Sequence, residues 1–131
     1  MTQSQEPPAR PWESSPQSQV SAAPEVRDAP DRHRFEIWVG DEVAGFTDYR
    51  PRRDDLYAFV HTEIDTRFSG GGLGSTLIRA AMDEMRERGI SVLPYCRFVR
   101  RYISRHFEYL DLVPTTARAE FDLPGAAPNP R

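Results

Sequence analysis

The chain has no lysine: all 17 of its basic residues are arginine. That excludes a Walker A phosphate loop, which needs a lysine at the β- and γ-phosphates. It also excludes catalysis through a lysine Schiff base. There is one cysteine, Cys96, so no internal disulfide can form. No run approaches the roughly 20 apolar residues of a membrane span, and the first residues lack the apolar segment of a secretory leader. A cytoplasmic protein without membrane attachment is the expectation. The net charge of −3 argues against general nucleic-acid binding. No metal site is expected.

Large apolar residues are scarce at both ends. Residues 1–31 are rich in Pro, Ser, Gln and Glu and cannot bury enough surface to offset their ordering entropy. A disordered tail is predicted there. Residues 114–131 hold Pro114, Pro124, Pro128 and Pro130 and are predicted to be mostly loose, with one short strand at Arg118–Leu123. That leaves 32–113 as a single small domain.

Within the domain, Arg34–Val39 alternates, with Phe35, Ile37 and Val39 on one face. Gly40-Asp41-Glu42 is a turn signal, and Val43–Tyr49 resumes the strand pattern, so a β-hairpin is predicted. Pro51–Asp55 reads as a polar loop. Leu56–Asp65 is a third strand, with Tyr57, Phe59, His61, Glu63 and Asp65 on one face and Ala58, Val60, Thr62 and Ile64 on the other. Ser75–Arg88 has helical spacing at Leu77, Ile78, Ala81, Met82 and Met85, and Gly89 suits its end. Ile90–Tyr95 reads as a buried strand, parallel to the third because a helix joins them. Pro94 should break its pairing. Arg97–Tyr109 is predicted as a second helix, with Phe98, Val99, Tyr102, Ile103 and His106 inward. The fold class is therefore α+β or α/β: a mixed sheet with an antiparallel hairpin and third strand, a β-loop-α-β unit and a C-terminal helix.

Between the third strand and the first helix lies Phe68–Thr76, FSGGGLGST. Glycine lets the backbone approach a ligand closely. The first amides of the helix lack intrahelical partners, and its dipole favours an anion. A phosphate site is the reading, although SGGGLGST lacks the dinucleotide-binding order. The plainer reading is a flexible turn.

Other residues carry chemistry. Glu63 and His61 share a strand face and are candidate general bases. Cys96 opens a helix, where a thiol can become nucleophilic; the alternative is a small buried hydrophobe. Tyr102 can supply a phenolic proton or be a core aromatic. His106 and Tyr109 suit packing and capping near the helix end. The Arg97, Arg100, Arg101 and Arg105 stripe reads as a solvated face.

The whole order, hairpin, long strand, F-x-G-x-G-x-G, helix, strand and helix, resembles the GNAT superfamily of N-acetyltransferases. That superfamily carries R/Q-x-x-G-x-G/A in the loop. Gly72 and Gly74 match, and Ser69 stands where Arg or Gln is usual, with Arg67 as a candidate replacement. HTEID before the loop and C-x-F-V-x-x-Y-I-x-x-H-x-E-Y-x-D-L-V from Cys96 to Val113 resemble the compact, stand-alone branch, which lacks the N-terminal helices that shape the acceptor site in larger relatives. The resemblance implies acetyl-CoA as co-substrate, held by Ile64, Arg67, Ser69, Gly70, Gly71, Gly72, Leu73, Gly74 and Ser75. It implies an acceptor amine on a small molecule or peptide, and a tyrosine at Tyr102 that protonates the departing thiolate. The arginine stripe would then have the CoA 3′-phosphate or an acidic partner as a functional role. The alternatives are a non-catalytic CoA-binding or interaction module of the same fold, and a loop that takes a different phosphate ligand.

Overall fold

The computed structural model describes residues 23–125, so the tail predictions for 1–22 and 126–131 fall outside the described residues. Five strands form one sheet in sequence order: β1 (Glu25–Ala29), β2 (Arg34–Val39), β3 (Glu42–Arg53), β4 (Leu56–Ile64) and β5 (Ser91–Pro94). The first three pairings are antiparallel; β4 and β5 are parallel. Helix α1 (Leu73–Arg88) connects β4 to β5, and α2 (Arg97–Arg105) follows β5. Helix α1 buries Leu77, Ile78, Ala81, Met82 and Met85 against Phe35, Ile37, Tyr49, Phe59 and Val92. It stops at Gly89, whose φ of 70° allows its amide to reach back to Arg86 and Met85.

Several boundaries differ from the sequence reading, each for a physical reason. Residues 25–29 are a strand, not part of a tail. Val26 is β1's only large aliphatic side chain, and the strand is tied down from afar. Asp28 accepts the Tyr49 hydroxyl at 2.6 Å and the Arg88 guanidinium at 2.8 Å. Strand β3 runs on through Pro51, where the register with β4 shifts, so the absent N–H falls at an irregularity. Helix α2 ends at Arg105 because the His106 ring Nδ1–H donates to the Tyr102 carbonyl at 2.9 Å. That carbonyl would otherwise accept the amide of residue 106. The chain continues as 3₁₀ turns over Phe107–Leu112 and Thr115–Phe121. The second replaces the predicted strand at 118–123 and orders residues expected to be loose. Phe121 and Leu123 are buried, and Arg118 donates to the Val113 carbonyl at 2.9 Å.

The change that matters most lies in β4. Asp48 pairs with His61 but Tyr49 pairs with Phe59, so Val60 is an extra, bulged residue. One inserted residue reverses the alternation. Phe59 therefore points into the core beside Tyr49, whereas His61 and Glu63 point outward and Thr62 inward, opposite Thr47. The single ionisable face predicted from Tyr57 to Asp65 does not exist. Asp65 lies beyond the strand, accepting the Arg67 amide at 2.9 Å.

Two stability predictions follow from packing. A Cβ at Gly45 would lie 2.6 Å from the Glu63 carbonyl oxygen and collide with the Ile64 side chain. Backbone cannot yield cheaply there, so Gly45→Ala should cost about 1–3 kcal/mol, read as a lower denaturation midpoint. Tyr109 gives the second. Burial, with the Asp83 carboxylate accepting its hydroxyl at 2.6 Å, pushes its phenol up to about 12 from 10.0. Above pH 10 the unfolded chain loses this proton while the folded one keeps it, so stability falls between pH 10 and 12. Tyr109→Phe should flatten that alkaline fall in thermal unfolding scans.

Candidate active site

The β4 and β5 strands separate after a short parallel ladder. Their last pair is Phe59 with Pro94, and Cys96 N–H then donates to the Phe59 carbonyl at 2.8 Å. Beyond that point β4 runs on without β5, and Pro94 and the Val60 bulge mark where the ladder gives out. A cleft of about 390 Å³ opens there, lined by Val60, His61, Thr62, Tyr95, Cys96, Arg97, Phe98 and Arg101. A second groove of about 270 Å³ is lined by Ile64, Phe68, Ser69, Gly70, Gly72, Leu73, Gly74, Ser75 and Phe98. Phe98 lines both cavities and stands 40% exposed, so the predicted inward position of this side chain is corrected. A side chain at Gly74 would meet the Phe98 ring, which would have to swing aside.

The groove gathers the predicted phosphate-binding stretch. Gly72 caps α1 with φ 76°, and Gly70 has φ 86°. Both conformations disfavour a side chain and bring the loop round beneath the first-turn amides of α1. The Thr76 hydroxyl donates to the Gly72 carbonyl at 3.1 Å. The Ser69 hydroxyl donates inward to the Thr66 carbonyl at 3.0 Å. Ile64 lines the groove, while Gly71 is not among the lining residues. Arg67 is turned away from the groove. It pairs with Asp65 at 3.3 Å and Glu42 at 3.5 Å, and its amide and guanidinium hold Asp65 below the usual carboxylate range. Arg67 therefore offers no side-chain donor to the groove, whose loop presents backbone and the Ser69 and Ser75 side chains.

At the cleft, His61 Nε2 and Glu63 Oε2 are 2.8 Å apart, both half-exposed. Only His61 lines the cleft. From the other wall Cys96, 8% exposed, brings Sγ within 3.2 Å of the Thr62 hydroxyl, which lies 2.9 Å from the fully buried Thr47 hydroxyl. Cys96 therefore does not cap α2 with its side chain. Tyr102 is elsewhere. Its ring stacks on His106 with centroids 4.0 Å apart, it is buried towards α1, and burial pushes its phenol up. The cleft phenol is Tyr95, 42% exposed, with the Phe121 ring edge-on to it at 5.0 Å and Arg52 over it at 5.8 Å. Sequence reasoning missed Tyr95. The signal was Pro94: a residue just past the point where a ladder must break faces the gap.

Residues 34–112 match the family of GCN5-related N-acetyltransferases. The chain belongs to this family. Among solved structures, a GCN5-like protein of Staphylococcus aureus, determined by NMR, aligns with a TM-score of 0.54 and 21% identity over 68% of this chain and 86% of its own. That likeness shows a shared fold. Ard1 of Thermoplasma volcanium aligns at 26% identity with a TM-score of 0.41, over 46% of this chain and 41% of its own. No functionally curated protein matches the sequence. The strand separation and glycine loop described above thus sit in an acetyltransferase family fold. Among the described residues no helix is long and apolar enough to cross a membrane.

Proposed function

We propose that this GCN5-related protein transfers an acetyl group from acetyl-CoA to an amine. The observation that carries the reading is that the glycine groove and the His61–Cys96 cleft lie side by side, with Phe98 lining both. The amides at Gly70–Ser75 hold the pyrophosphate, helped by the α1 dipole. Ile64 and Phe98 flank the arm that runs along the free edge of β4.

Acetyl-CoA supplies an activated thioester carbonyl. His61 removes the proton that the acceptor amine must lose, and the Glu63 carboxylate accepts a hydrogen bond from the imidazolium Nε2–H. The new N–C bond forms as the C–S bond breaks. Tyr95, rather than Tyr102, stands in the cleft to give the thiolate its proton. Cys96 and Thr62 line the carbonyl pocket.

Release of free thiol from acetyl-CoA over a panel of amines tests the reading. Turnover above the no-amine rate is the expected result. Tight CoA binding with no release for any amine would instead favour a binding module, a reading motivated by Tyr102 lying outside the cleft. Intact mass after incubation with acetyl-CoA checks the route. The chain should remain unmodified; an acetyl adduct that vanishes in Cys96→Ala would move the reaction to a relay through the thiol.

A further inference from the structure

The cleft has a cationic wall facing an imidazole. On one side are Arg97 and Arg101, one helical turn apart on α2, both exposed. Neither has a carboxylate partner among the described residues, whereas Arg67, Arg86 and Arg88 are each held by one or two. Arg52 adds a third cation at the rim, over Tyr95. Facing them across the gap is His61, bonded to Glu63 and paired across the ladder with Asp48. An imidazole bonded to the Glu63 carboxylate thus stands opposite two guanidinium groups without carboxylate partners among the described residues, over a space larger than an acetyl group needs.

Resting on the acetyl-transfer reading above, we infer that the acceptor is an amino-acid-like molecule, an amine with a carboxylate a few bonds away. Its carboxylate sits on the Arg97 and Arg101 forks, which match a carboxylate in plane and in donor spacing. Its amine is thereby turned to His61. Tyr95 and Phe98 flank the carbon skeleton between the two ends. The glycine groove lies on the other side of Phe98, so the pyrophosphate and the carboxylate occupy separate places.

The test compares L-amino acids with their own carboxamides as acceptors, which keeps the side chain and removes the negative charge. The free acids should show kcat/KM at least about tenfold above the amides, the scale of a charged hydrogen bond. In Arg97→Gln/Arg101→Gln that preference should collapse through loss on the acids, while Arg105→Gln, outside the cleft, keeps it. Equal use of acid and amide by the wild type would overturn the inference. So would a double variant that keeps the preference but raises KM for acetyl-CoA, since the arginines would then serve the 3′-phosphate. Calorimetric titration of acids and amides into CoA-saturated protein separates this inference from the parent reading. Acid-selective binding without turnover would sink transfer but support the carboxylate site; turnover of amides alone would do the reverse.

Discussion

Replacing His61 with alanine is expected to lower kcat for amine acetylation by on the order of a hundredfold or more, with little change in KM for acetyl-CoA. His61 is the ionisable side chain of β4 that lines the cleft, and it is there because Val60 bulges out of the ladder. Without the bulge, the same residue would follow Phe59 into the core. Its partner Glu63, at 2.8 Å, is too exposed to add much stability, so its contribution is to orientation and charge. Glu63→Gln should therefore cost less than His61→Ala, since the amide can keep the hydrogen bond. Thermal unfolding should move little in either variant, because both side chains face solvent. Steady-state rates beside melting curves read the two effects apart. A His61→Ala protein with wild-type kcat would remove the imidazole from the mechanism.

Gly72→Val should weaken acetyl-CoA binding by roughly tenfold to a hundredfold, the scale set by losing one charged hydrogen bond to phosphate. The φ of 76° at this helix cap is unfavourable for any residue with a Cβ and worst for a branched one. Nothing lies within 4 Å of a Cβ placed there, so the penalty is conformational, not steric crowding by neighbours. The loop must then relax to negative φ, and the first-turn amides of α1 lose their common aim. Calorimetry with acetyl-CoA measures the loss. Unchanged affinity would mean that these amides do not carry the phosphate.

How much of this was legible in the sequence follows from the range of the interactions. The periodicity of Leu77, Ile78, Ala81, Met82 and Met85 and the glycine at 89 are local signals, and α1 came out nearly as read. The parallel pairing of β4 with β5 followed from the intervening helix, and the gap beyond it from Pro94. Gly70, Gly72, Gly74 and Ile64 line one groove. Strand β1 was invisible because Tyr49 and Arg88, which hold Asp28, lie 21 and 60 residues away. The Val60 bulge was invisible because strict alternation assumes one residue per ladder step. The early end of α2 was missed because a side chain competes with backbone there, the His106 ring taking the Tyr102 carbonyl. Arg67 was drawn off by Asp65, two residues away and visible locally, and by Glu42, whose approach no local pattern reveals.

The central claim is that one acyl-CoA molecule spans both cavities. Amide chemical-shift mapping of the labelled protein with acetyl-CoA tests it most directly. Shifts should appear together at Gly70–Ser75, along Val60–Ile64 and at Cys96–Phe98. Shifts at the glycine loop alone, with β4 and Cys96 silent, would contradict it and leave the loop as a phosphate site unconnected to His61.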